Sequence, residues 1–298
     1  GPGAGAHGGE IVSQGTPQQI RDDKNSLTGQ YLSGRKNIHI PTERTPFDPD
    51  KTVKIRGASG NNLQDVDIDI PVDVLTCITG VSGSGKSTLL NMIAGLDRDY
   101  SGEIRLHNGT TEGNSQALGY IFQEDALLPW RKAWKNALLG AEVNGGVEEK
   151  HTDLATQLMQ RFGLNGFEKH YPSQLSGGMR QRLAIIQTLV LDPELLLLDE
   201  PFSAVDYYNK LTLEDTLYSF LKEKNKAAIL VTHDLEEAVA LSDRILVFSS
   251  RPATITKEIA VDFGIARRDL PPSAARGVEQ FGHYYNLIWQ QLKDTLEP

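Results

Sequence analysis

Residues 80–88 read Gly-Val-Ser-Gly-Ser-Gly-Lys-Ser-Thr. Gly80, Gly83 and Gly85 free the backbone so that N–H groups can close around phosphates, with Ser82, Ser84 and Thr88 in the same cradle. Lys86 can then reach the β- and γ-phosphates, and the Ser87 hydroxyl can hold Mg²⁺. Phosphoryl transfer to water also needs a metal carboxylate and a group that orients or deprotonates the attacking water. Leu195–Leu198 end in Asp199 and Glu200, with Pro201 behind them. Four leucines make a buried strand, and carboxylates at its carboxyl end suit Asp199 to Mg²⁺ and Glu200 to a general base. The expected ligands are ATP and Mg²⁺.

The elements that must position these groups are legible around them. Val74-Leu75-Thr76-Cys77-Ile78-Thr79 is an apolar strand running into the glycine loop. Leu89, Leu90, Met92, Ile93 and Leu96 follow at helical spacing. Strand, loop and helix in this order put the positive end of the helix dipole at the anion. Ala228–Val231 and Arg244–Phe248 are further apolar strands flanking a helix over 235–241, which predicts a parallel sheet covered on both faces. Val66-Asp67-Ile68-Asp69-Ile70 and Glu103–His107 alternate apolar with polar, the pattern of a small antiparallel flank. Residues 130–190 carry helical periodicity and no strand. Near the end, Phe281, Tyr285, Ile288, Trp289 and Leu292 lie at helical spacing and read as a docking helix.

Bulk composition excludes several classes. The 298 residues are 39% hydrophobic and 23% charged, as in a globular protein, and the net charge of −9 is unsuited to nucleic acid. No apolar run approaches the ~20 residues of a membrane span, so membrane association is expected to be peripheral. One cysteine, Cys77, excludes an internal disulfide and a Cys-rich zinc site, fits a reducing cytosol, and reads as a core residue. Residues 1–50 have six glycines in the first fifteen positions, no apolar periodicity, and six acids against five bases, which reads as a linker. The start at Gly1-Pro2-Gly3, without Met, suggests a processed or excised product.

Leu175-Ser176-Gly177-Gly178-Met179-Arg180-Gln181 supplies the motif that narrows a nucleotide binder to one family. With it, the chain resembles ABC-type ATPases. The resemblance implies an α/β P-loop fold: a mixed, mostly parallel core sheet, an antiparallel β flank and a helical subdomain. It makes Gln123 the Q-loop glutamine, which touches Mg²⁺ and the water. It makes Ser203–Asp206 the D-loop, with Asp206 its acid, and His233 the switch histidine facing the γ-phosphate. It also implies a head-to-tail homodimer in which Ser176, Gly177, Gly178 and Gln181 of one chain cover the ATP held by Lys86 of the other.

Two branches of that family are visible. Residues 1–90 resemble UvrA-type excision-repair ATPases: His7-Gly8-Gly9-Glu10, Ser26-Leu27-Thr28-Gly29-Gln30, and Gly60-Asn61-Asn62-Leu63 through Val81 carry this likeness. From about Leu90 the chain resembles the ATPase subunit of a nitrate, sulfonate or taurine importer. That likeness rests on Leu127-Leu128-Pro129-Trp130-Arg131, Met179 within the signature, Asp199-Glu200-Pro201-Phe202-Ser203-Ala204-Val205-Asp206 and Thr232-His233-Asp234. A join inside the phosphate loop or its helix, making a chimera, accounts for both.

The domains expected are a linker-like segment at 1–50, open to disorder, a nucleotide-binding domain at 51–265 with its helical part near 125–185, and a helical extension at 266–298. The leading function is ATP hydrolysis driving an importer, at the cytoplasmic face, with a permease docking around Gln123–Arg131. Trp130 reads either as part of that docking surface or as core. The importer resemblance implies an aromatic near the first strand to stack on adenine; Lys51–Asn62 holds none, so weak base affinity or poor base selectivity is expected. The alternatives are a DNA-repair ATPase fragment and a nucleotide-binding chimera without turnover. The transported substrate is not encoded here.

Overall fold

The computed structural model describes residues 15–26, 33, 51–72, 74–106, 109–110, 118–264 and 270–296. Its contacts divide the chain into Gly1–Thr42 and Glu43–Pro298. Within the first unit a helix spans Pro17–Asp22. Thr16 caps it, accepting from Gln19 N while Gln19 returns a side-chain oxygen to Thr16 N, and Pro17 occupies the first turn. A short helix therefore forms inside the segment read as a linker. Residues 1–14, and nearly all of 27–50, lie outside the described residues.

The second unit is built on a six-stranded sheet: β3 (Leu75–Gly80), β6 (Leu118–Ile121), β7 (Leu195–Asp199), β8 (Ala227–Val231), β9 (Arg244–Phe248) and β10 (Ile255–Ala260). Their order is β10-β9-β3-β8-β7-β6, parallel apart from β10 at one edge. The strand feeding the phosphate loop thus lies between β8 and β9, and Asp199 pairs with Val231 at the end of β7. A second sheet, β2-β1-β4-β5, is antiparallel, from β1 (Thr52–Gly60), β2 (Leu63–Pro71), β4 (Ser101–Leu106) and β5 (Gly109–Thr110).

Strand alternation divides the interior in two. Leu195 and Leu197 enter one core and Leu196 and Leu198 the other, because successive side chains of a strand point to opposite faces. The first core joins the antiparallel sheet, through Ile55, Val66, Ile68 and Ile70, to Leu89, Leu90, Met92 and Ile93 of the Lys86–Ile93 helix. The second gathers the helices Tyr207–Glu223, Leu235–Leu241 and Glu279–Leu296, and the helical region 133–189. No described helix is long and apolar enough to cross a membrane.

Some expectations are corrected. The helix after the phosphate loop ends at Ile93, and Gly95 then takes a φ of 71°, so Leu96 leaves the helical stripe and is 61% exposed. On the last helix Tyr284, Ile288 and Leu292 are buried, whereas Trp289 is exposed. The buried stripe follows i, i+4, i+8, which places Trp289 off the packed face. Trp130 is 71% exposed, which removes the core reading. Cys77 is fully buried.

Candidate active site

Gly83 and Gly85 have φ of 77° and 80°, a backbone that L side chains avoid. A Cβ at Gly85 would stand 2.8 Å from Leu63 Cδ2, so the loop also needs glycine there for space. Two outside residues brace it. Asn62 Nδ2 and Arg251 Nε both donate to Gly83 O, at 3.0 and 2.9 Å. Neither is visible as a site residue in the sequence, since they come from the β1–β2 turn and the segment after β9. Lys86 Nζ donates to Gly80 O and Val81 O at 2.9 Å and to Ser84 Oγ at 3.3 Å. Burial lowers the Lys86 pKa, while the charges of Glu200 and Asp199 work the other way.

The start of the Lys86–Ile93 helix and the end of β7 bring the hydroxyl and the carboxylate together: Ser87 Oγ donates to Asp199 Oδ1 at 3.0 Å. Burial raises the Asp199 pKa, opposed by the Ser87 hydrogen bond and reinforced by the Glu200 charge. Glu200 leaves the sheet with φ 46°, its N–H still bonded to Val231 O at 2.9 Å. A left-handed non-glycine residue stores on the order of 1–3 kcal/mol of strain and persists where surrounding structure imposes it. Glu200 Oε1 meets His233 Nδ1 at 2.9 Å, and Gln123 Nε2 donates to Glu200 Oε2 at 3.4 Å. Gln123, Glu200 and His233 thus converge from three segments separated by 77 and 33 residues.

The signature lies elsewhere on the surface. Ser176 caps the Gly177–Leu189 helix, its Oγ accepting from Met179 N at 3.3 Å. A Cβ on Gly177 would approach Ala204 O, and one on Gly178 would approach Val205, so this helix start sits against the segment leading to Asp206. Among the described residues no hydrogen bond joins 176–181 to 80–88. Gln181 corrects an expectation. It is 1% exposed, on the face shared with Ile185 and Leu189, and so is not presented to a partner chain. Asp206 caps the Tyr207–Glu223 helix, accepting from Asn209 N and Nδ2.

Sequence reading also missed Asn136, fully buried. Its Oδ1 accepts from Leu128 N at 2.8 Å, and its Nδ2 donates to Leu128 O and Arg131 O. It thereby holds the loop that displays Trp130. A buried amide in an otherwise apolar helical stripe was the available signal.

A family model described as "ABC transporter" matches residues 63–203. An uncharacterized ABC transporter ATP-binding protein of Bacillus subtilis is 40% identical over 230 residues, covering 77% of this chain and 88% of its own. With 230 of 298 residues aligned, that likeness begins no later than residue 69, ahead of the phosphate loop. A taurine import ATP-binding protein of Yersinia pestis is 41% identical over 202 residues, 68% of this chain and 79% of that one. Among solved structures, a dimeric ATP-binding cassette in a post-hydrolysis state bound to ADP and Pi superposes with a TM-score of 0.63 at 28% identity. It covers 70% of this chain and 99% of its own.

Proposed function

The chain belongs to the ABC transporter ATP-binding family and is an ATPase of that kind, and from this premise we propose that it hydrolyses ATP as a head-to-tail homodimer that drives an importer permease. The observation that carries the site assignment is the convergence of Ser87, Asp199, Glu200, His233 and Gln123 beside the phosphate loop.

In this reading Gly80, Ser82, Gly83, Ser84, Gly85, Lys86, Ser87 and Thr88 bind the phosphates of ATP. Glu200 accepts the proton of the attacking water, and Gln123, on its other carboxylate oxygen, helps to orient that water. His233 engages Glu200 through Nδ1, so its other ring nitrogen is the one left to meet a phosphate oxygen. Ser87 Oγ and Asp199 Oδ1, 3.0 Å apart, are oxygen donors of the kind a hard cation takes. Among the described residues no cluster of three metal-ligating side chains exists, and Mg²⁺ held largely by substrate phosphates needs none. Bound there with Gln123 nearby, Mg²⁺ would neutralise charge on the transferred phosphoryl group.

Dimerisation is supported by the separation of the signature from the phosphate loop of its own chain. Ser176, Gly177 and Gly178 border the surface at a helix start, where N–H groups suit an anion supplied by a partner. Asp206 lies at the same border. Exposed Trp130, with Phe122 and Leu96 beside Gln123, supports a permease contact here and hence a peripheral, cytoplasmic-face location. The second unit, residues 51–296 as described, would then act as the nucleotide-binding domain with its C-terminal helical extension.

A join between two ABC proteins inside residues 80–100 rests only on the short motifs of residues 1–81. The Bacillus subtilis likeness, 230 residues long, spans that interval. An uninterrupted genomic reading frame through residues 80–100, with a start codon upstream, would remove the join.

The test is ATP turnover against protein concentration, with Glu200→Gln in parallel. An upward-curving dependence, abolished by the substitution while ATP still binds, is expected. Turnover strictly first order in protein at nanomolar concentration, with no dimer present, would overturn the composite site.

A further inference from the structure

We propose that Lys210 is a positioning residue that clamps the His233 segment to the helix capped by Asp206, so that these two sides of the site move as one body. This rests on the reading of His233 as a catalytic residue.

Lys210 lies one turn beyond Asp206 on the Tyr207–Glu223 helix. Its Nζ stands 2.6 Å from Asp234 Oδ2 and 2.6 Å from Glu237 Oε1. Asp234 follows His233 directly, and its other oxygen caps the Leu235–Leu241 helix by accepting from Glu236 N and Glu237 N. Glu237 Oε2 accepts from Thr232 Oγ1 at 2.6 Å, and Thr232 directly precedes His233. Both chain neighbours of His233 are therefore tied to one ammonium, Asp234 directly and Thr232 through Glu237. The His233 side chain is itself 65% exposed and contacts Glu200.

Burial separates this cluster from an ordinary surface pair. The side chains of Lys210 and Glu237 are 13% and 5% exposed, and in so low a dielectric the geometry of a paired charge is tightly specified. Burial alone would lower the Lys210 pKa, but its bonds to Asp234 and Glu237 raise it above the ordinary value. One turn further on, Glu214 continues the same helix stripe, and Arg276 Nη1 pairs with its Oε2 at 2.8 Å. Arg276 Nε is also 3.7 Å from Glu236 Oε2, a second strap onto the Leu235–Leu241 helix. A displacement felt at Asp206 is thereby delivered to the flanks of His233, and on to Glu200.

The test uses the full chain with Lys210→Met, Lys210→Arg, Asp234→Asn and His233→Ala. Lys210→Met is expected to lower kcat tenfold or more, with KM for ATP and the Kd of a non-hydrolysable ATP analogue within twofold of the parent. Lys210→Arg, which can still bridge two carboxylates, is expected to restore kcat to within threefold. An unchanged kcat in Lys210→Met, or a loss matched in analogue affinity and not restored by Lys210→Arg, overturns the proposal. If Lys210→Met does not fold, Asp234→Asn decides, since it keeps the helix-capping oxygen but weakens the pair: an unchanged kcat there overturns the proposal and a tenfold loss supports it. His233→Ala separates the two readings. Full turnover in His233→Ala removes the role of His233 itself, whereas its loss beside a fully active Lys210→Met removes only the clamp.

Discussion

Arg180 donates from Nε to Asp125 Oδ2 at 2.8 Å, and its Nη1 reaches Leu175 O at 3.0 Å. One guanidinium thus joins the segment of Gln123 to the residue before Ser176. Two parts of the proposed machine, the water-orienting loop and the surface offered to a second chain, are linked within a single subunit.

Arg180→Ala is expected to lower stability by under ~1 kcal/mol, since both side chains are about a third exposed and solvent screens the pair. Its effect on turnover should exceed its effect on melting. Asp125→Ala should behave alike, and the double variant should add little beyond either single change. A double-mutant cycle on kcat checks this, and full additivity would show that the pair transmits nothing.

Glu214 is expected to make stability fall as pH rises. Burial pushes its carboxyl up to about 7 from an ordinary 4.5, despite the Arg276 contact. Between those values the folded state holds more protons than the unfolded chain. Unfolding free energy therefore decreases with pH, by an amount on the order of 3 kcal/mol across the window. Glu214→Gln should consequently compare more favourably with the parent at pH 8 than at pH 5. Urea melts at the two pH values measure it, and a difference of the opposite sign would refute it.

Cys77 should be silent towards thiol reagents in the folded protein. Burial pushes its thiol pKa up, with the Glu237 charge adding to the effect and a Ser242 hydrogen bond opposing it. One equivalent of thiol is expected to react with a chromogenic disulfide only after denaturation. Rapid labelling of native protein would show that β3 opens locally.

Gly85→Ala should abolish binding of an ATP analogue. The left-handed backbone disfavours alanine by roughly 1–2 kcal/mol, and the new methyl would press on Leu63. Analogue titration is the readout, with a melting curve showing that the fold survives.

The local motifs were legible because each encodes its own geometry. Gly80–Thr88 needs glycine where φ is positive, Leu195–Leu198 needs burial on both faces, and Ser176 needs a helix to cap. The alternation of Val66, Ile68 and Ile70 with Asp67 and Asp69 gave the half-solvated strand for the same reason. Trp130 and Leu96, just outside helix ends, and Trp289, at the edge of a helical stripe, were less readable, because packing partners distant in sequence assign such apolar residues to core or surface.

The amino-acid sequence by itself determined the phosphate loop, the strand with its two carboxylates, the signature and the α/β class, since all depend on spacing within a few residues. Only the tertiary structure decided that Glu200 stands between Gln123 and His233, that Arg251 braces Gly83, and that Lys210 ties down both flanks of His233. These contacts join residues 24 to 168 positions apart. The order of strands in the sheet brings their elements together, and no local periodicity records that order.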